Sequence, residues 1–97
     1  MYKLLLFLKK TKQENIQDHF IEYTVKYLSA IVHQEIKIAK VESSLLLDNN
    51  YSLYCEAMVE SKDAWDLLMN TAEGKELSKD LMEFHNNISA VFVDYAS

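Results

Sequence analysis

Leu4, Leu5, Leu6, Phe7 and Leu8 form an unbroken apolar run between Lys3 and Lys9. In an extended chain successive side chains point to opposite faces. A strand over 2–9 therefore carries Tyr2, Leu4, Leu6 and Leu8 on one face and Leu5 and Phe7 on the other. Both faces must be covered, yet 97 residues supply material for one domain with one core. The run is shorter than the roughly 7–15 apolar residues of a secretory leader, and no A-x-A site follows it. It falls further below the roughly 20 needed to span a bilayer. The expectation is a soluble, cytoplasmic protein with no membrane partner.

The rest of the chain alternates between two periods. Asn15 reads as a helix N-cap, with Asp18 suited to the positive end of the helix dipole. Ile16, Phe20, Tyr23, Tyr27 and Ile31 then recur at helical spacing as one buried face. Residues 33–47 change to period two and predict a second strand, with Ser43-Ser44 marking a bulge or its end. Asp48-Asn49-Asn50 is a turn signal, and 51–60 predict a third strand that pairs with the second as a hairpin. Ser61 predicts the cap of a second helical region buried through Ala64, Trp65, Leu68 and Met69. A break at Asn70-Thr71 precedes a further helical piece carrying Leu77, Leu81 and Phe84, and 87–96 predict a fourth strand.

The order is βαββαβ. Right-handed crossovers place the helices on one face of a four-stranded antiparallel sheet, the ferredoxin-like α+β arrangement. The other face should then be polar, and it is not. The first strand carries Leu5 and Phe7 opposite its other apolar set, and the last strand carries Ile88, Ala90 and Phe92 on one side and Val91, Val93 and Tyr95 on the other, so both faces of the sheet are apolar. Exposed apolar patches on monomers rarely exceed a few hundred Å². The simplest cover is the same surface of a second copy, packed sheet to sheet about a two-fold axis as a homodimer.

Composition narrows the function classes. The net charge is −5 with no long basic block, which disfavours nucleic acid, since that binding needs clustered positive charge. No phosphate-cradling glycine loop is present, and no cofactor is implied. The single cysteine, Cys55, excludes an internal disulfide and sits in an apolar run as a small core residue. His19, His33 and His85 show no metal-ligand spacing; His19 falls at the edge of the first helix's buried face.

Three stretches, MYKLLLFLKK, DHFIEYTVKYL and VESKDAWDLLMNTAEGKELSKDLMEF, resemble EthD-like proteins of the dimeric α+β barrel superfamily. The last carries the clearest likeness: Glu60-Ser61, Ala64-Trp65, Thr71 where that family usually has serine, Glu73-Gly74, Leu77, Asp80 and Phe84. The likeness runs over nearly the whole chain and implies a single EthD-like domain, 1–97, that forms a homodimer. Phe20 and Tyr23 fit the start of the family's first-helix pattern. Tyr27-Leu28 stand where that helix commonly carries a pocket histidine.

The third strand holds the residues best suited to chemistry. Leu53, Cys55, Ala57 and Val59 form its apolar face, and Ser52, Tyr54, Glu56 and Met58 the other. With the apolar set under the helices, Tyr54 and Glu56 point into the space between two paired sheets. A desolvated carboxylate there would have a raised pKa and could act as a general base, with Tyr54 orienting a phenolic or carbonyl substrate. The competing expectation is that Glu56 merely pairs with Lys37 or Lys3. Phe7, Tyr23, Tyr27 and Met58 complete the candidate ligand pocket. The resemblance implies a small apolar or aromatic ligand bound in the cavity between sheet and helices and, if acted on, acted on without cofactor by proton abstraction or oxygen-dependent oxidation. The alternative is a structural or assembly module whose barrel is filled by its own side chains.

Overall fold

A computed structural model describes residues 2–42 and 50–95. The elements are β1 (Tyr2–Lys9), α1 (Glu14–His19), a π-helical turn (Phe20–Thr24), α2 (Val25–Val32), β2 (Ala39–Lys40), β3 (Tyr51–Val59), α3 (Lys62–Met69), α4 (Ala72–Glu83) and β4 (Ile88–Asp94). They form one antiparallel sheet in the order β2-β3-β1-β4, the ferredoxin-like arrangement. β1 lies between β3 and β4, so its apolar run occupies the sheet's centre. Leu4, Leu6, Leu8, Leu53, Cys55, Ala57, Val59 and Ile88 are buried beneath Phe20, Val25, Leu28, Ile31, Trp65 and Leu77 of the helical layer.

Three local predictions are corrected. The first helix starts at Glu14 with Gln13 as its cap, rather than at Asn15, and no side chain caps it. The Thr11 hydroxyl accepts from the Gln13 backbone N–H at 3.1 Å, which turns the chain two residues early. The helix does not keep one uniform phase. The π-helical turn inserts an extra residue, so the buried set becomes Phe20, Thr24, Val25, Leu28 and Ile31 instead of Ile16, Phe20, Tyr23, Tyr27 and Ile31. Such turns widen a helix by one residue and recur where a side chain is re-aimed. The second strand is confined to Ala39–Lys40 within the described residues, although the Val41 N–H still donates to the Ser52 carbonyl at 2.9 Å. The predicted Ser43-Ser44 bulge and the Asp48-Asn49 part of the turn lie outside the described residues.

Two devices explain why the chain leaves α2 without entering a long strand. His33 adopts a left-handed conformation (φ 52°) that ends the helix, a region where histidine is among the better tolerated residues. Gln34 then uses its side-chain amide as a strand residue would use its backbone. It donates to the Met58 carbonyl at 2.8 Å and accepts from the Met58 N–H at 3.2 Å.

The π turn and α1 are tied to α4 by a buried carboxylate. Asp80 is 6% exposed. It accepts from the Thr24 hydroxyl at 2.5 Å on one oxygen and contacts His19 Nε2 through the other. The His19 ring is packed between Tyr23 and Phe84, with centroids at 5.0 and 4.2 Å. A buried charge is tolerated only with partners of this kind.

The predicted Ser61 cap holds, and at the predicted break Thr71 caps the next helix. Ser61 accepts from the Ala64 N–H at 3.0 Å, and Thr71 from the Gly74 N–H at 3.1 Å. Gly74 also marks the closest approach of α4 to the end of α3. A Cβ placed there would stand 2.2 Å from the Leu68 carbonyl oxygen and 2.5 Å from Met69 Cα. Backbone cannot yield as a flexible side chain can. Gly74→Ala is therefore expected to destabilise the fold by about 3 kcal/mol, the upper end for overpacking, read as a fall in the urea midpoint. Asp80→Ala strands a buried hydroxyl and an imidazole, and is expected to cost a further-reaching ~3 kcal/mol. An Asp80→Ala midpoint equal to wild type would show that this network contributes nothing to α1–α4 packing.

Candidate functional site

The candidate site is the sheet face that the helices leave open. It is built from alternate residues of three neighbouring strands: Lys3, Leu5 and Phe7 of β1, Tyr54, Glu56 and Met58 of β3, and Val91 and Val93 of β4. The register places Leu5 between Glu56 and Val91, Phe7 between Tyr54 and Ser89, and Lys3 between Met58 and Val93. Met58, Val91 and Tyr95 are 52%, 45% and 55% exposed. This face has no cover within the described chain.

Aromatic rings line one end of it. The Phe7 ring lies 4.9 Å from those of both Tyr51 and Tyr54. Tyr51 joins this side because the register shifts between Leu8 and Lys9. At the centre sits a small polar network. Tyr54 and Glu56 are two apart on β3 and so share a face, and the Tyr54 hydroxyl donates to one oxygen of the Glu56 carboxylate. Lys3, the diagonal cross-strand neighbour, donates to the other oxygen at 3.0 Å and lies 5.5 Å from the Tyr95 ring centroid.

These contacts set the ionisation of the group. The Tyr54 hydroxyl, and after it the Lys3 ammonium, hold the Glu56 carboxyl below the usual carboxylate range. The raised pKa expected of a desolvated base is not found in the single chain. Glu56 is solvent-facing there and both its oxygens accept hydrogen bonds, which stabilises the charged form. Its partner is Lys3, not Lys37. The hydrogen bond to Glu56 raises Lys3 above its ordinary value. Burial, then the bond to Glu56, pushes the Tyr54 hydroxyl well up. Burial drives the Cys55 thiol to about 11, consistent with a packed core thiol and not a nucleophile.

Phe7, Tyr54, Glu56 and Met58 are thus brought together, whereas Tyr23 and Tyr27 are not among them. Those two tyrosines lie in the helical layer across the sheet, Tyr23 stacked on His19 and Tyr27 packed against the core. Between that layer and the sheet, a cleft of about 190 Å³ is bounded by Leu4, Trp65, Met69, Leu81, Met82 and Phe92. That is below the roughly 300–1,000 Å³ of ordinary ligand pockets. Hollows of about 410 and 440 Å³ at the strand ends around Tyr2 and Glu60 are larger, but they are shallow and open to solvent. No group of His, Cys, Asp or Glu among the described residues is arranged to hold a metal. No helix among them is long and apolar enough to cross a membrane.

The sequence reading missed the His19–Asp80–Thr24 network. Its available signal was Asp80 itself, a carboxylate on the helix face that carries Leu77, Leu81 and Phe84.

The sheet order and the one-sided helical layer define a ferredoxin-like α+β fold. Among solved structures, the chain is similar to an ethyl tert-butyl ether D (EthD) family protein of Bacillus halodurans C-125, with a TM-score of 0.80, 20% identity and 99% of each chain covered. It is also similar to the Arabidopsis thaliana protein At3g17210, with a TM-score of 0.61, 19% identity, and 99% of this chain and 93% of that chain covered. A dimeric ferredoxin-like protein of unknown function from Thermobifida fusca YX gives a TM-score of 0.54 at 14% identity, with 97% of this chain and 89% of that chain covered. No family model matches the sequence, and no curated protein matches it. At these identities the shared property is the fold, and that fold is EthD-like, as the sequence motifs suggested.

The lowered Glu56 value fixes the sign of a pH effect. A group whose folded pKa is depressed stabilises the fold above its unfolded pKa, about 4.3 for glutamate. That contribution disappears as pH falls through the folded value. Wild type should therefore exceed Glu56→Gln in urea midpoint at neutral pH, and the two should converge below about pH 4. A gap unchanged at about pH 3 would assign the difference to something other than carboxylate ionisation.

Proposed function

We propose that this chain is one protomer of a homodimer whose open sheet faces pack around a two-fold axis and enclose a chamber for a small apolar or aromatic compound. The observation that carries the reading is that β1 is apolar on both faces while the helical layer covers one. Each 100 Å² of apolar surface removed from water contributes roughly 2.5 kcal/mol. Association costs an estimated 4–15 kcal/mol, so some hundreds of Å² of buried apolar surface suffice. A face carrying Leu5, Phe7, Tyr54, Met58, Val91, Val93 and Tyr95 supplies area on that scale. The dimeric description of the Thermobifida protein supports the same assembly.

Within the chamber, Glu56 and Tyr54 are the polar anchor. The carboxylate accepts from a ligand hydroxyl, and the rings of Phe7, Tyr51 and Tyr54 stack against its apolar body. Proton abstraction by Glu56 is the less favoured role, since its neighbours lower its affinity for a proton. The size of these same rings favours one competing reading, a structural module in which they fill the barrel themselves.

Sedimentation velocity should give twice the protomer mass at micromolar concentration, and Val91→Lys should shift the species toward monomer while circular dichroism stays unchanged. A thermal-shift screen of small aromatic and quinone-like compounds should find stabilisers of wild type that fail on Tyr54→Ala. A folded monomer defeats the assembly. A dimer that no compound stabilises points to the filled module.

A further inference from the structure

We propose, resting on the chamber reading above, that the Lys3–Glu56 pair makes the site selective for uncharged aromatic ligands and that Glu56 is the residue that excludes anions. Lys3 and Glu56 are the charged side chains of the face's central rows. Lys3 stands between Met58 and Val93 in the register, and Glu56 stands opposite Leu5, with Val91 on the far side of Leu5. Lys9 lies at the end of β1 beyond the register shift, opposite Tyr51, at the rim where water screens it. The central ammonium and carboxylate stand 3.0 Å apart, so their charges cancel over the distance at which a ligand would sit. A second copy contributes another pair that also sums to zero.

Covering the face lowers the local dielectric and strengthens every charge interaction inside it. An anion entering such a chamber is drawn to Lys3 and repelled by Glu56 from nearly the same place. It loses its hydration without a matching gain. A neutral aromatic compound loses little hydration and gains stacking on Phe7, Tyr51 and Tyr54. A hydroxyl on it finds lone pairs on Glu56 beyond those engaged by Lys3 and Tyr54. With Glu56 neutralised, Lys3 would stand uncompensated and the preference should reverse.

The test is calorimetric titration of the full-length protein at neutral pH with 2-naphthol, which is uncharged, and 2-naphthoate, an anion of similar shape. Wild type, Glu56→Gln and Lys3→Met are compared, each checked for folding by circular dichroism and for mass by sedimentation. Wild type should bind 2-naphthol at least about tenfold more tightly than 2-naphthoate. Glu56→Gln should reverse that order by about tenfold, and Lys3→Met should weaken 2-naphthoate further. If both probes bind and neither substitution changes their order, charge selection is overturned and the chamber stands. If neither probe binds wild type, the chamber and the selectivity fall together.

Discussion

The structure depends on a mismatch between two faces and one layer. A four-stranded sheet offers two surfaces, and this chain builds helices for one of them. β1 lies at the centre of the sheet and is apolar on both sides, so the deficit falls at the middle, where polar rim residues cannot hide it. Moving β1 to an edge would relieve the problem but would leave its apolar run as an exposed template for pairing. Keeping it central commits the open face to some other cover. The fold and its assembly are in this sense one question, asked by a handful of residues near the start of the chain.

The covered side is organised around a polar exception. Asp80 is buried among apolar neighbours and holds Thr24 and His19 across the helix interface. This explains why the helical phase could not be read from spacing. A periodicity argument assumes one value, 3.6 residues per turn, along 16–31. The π turn violates that assumption at Phe20–Thr24 and exchanges Tyr23 for Thr24 and Tyr27 for Leu28. A hydroxyl reaches a buried carboxylate in return for a phenol that goes to the surface. Tertiary hydrogen bonding decides the exchange, and a single-segment pattern carries no information about it. The strands were more legible because period two has less freedom, and the face assignments in β1, β3 and β4 follow from alternation except at Tyr51, where the register shift breaks it.

Register marks the boundary of what the sequence reveals about the site. That Tyr54 and Glu56 share a face follows from their being two apart. That Lys3, not Lys37, meets Glu56 follows from pairing β1 with β3 so that Leu5 stands opposite Glu56. Lys37 is not in a strand at all, since β2 is confined to Ala39–Lys40 and the β3 edge at Met58 is occupied by the Gln34 amide. A side chain replacing backbone along a strand edge leaves no periodic trace, so the second strand reads as starting earlier than it does.

In the proposed dimer the chemistry of the open face would change character. In the single chain, water screens the Lys3–Glu56 contact, and surface pairs of that kind contribute little. Under a second sheet the same pair would lose hydration, which would favour neutralising both groups by proton transfer, while their attraction would grow as the dielectric falls. The Tyr54 hydroxyl tips this balance, because it donates to the carboxylate and its bond would weaken if Glu56 took a proton and lost its charge. Acting as a base would weaken the charge-assisted bonds that position Glu56. Holding a ligand requires only that it keep them, and a charge pair locked by a tyrosine is better suited to recognition than to turnover.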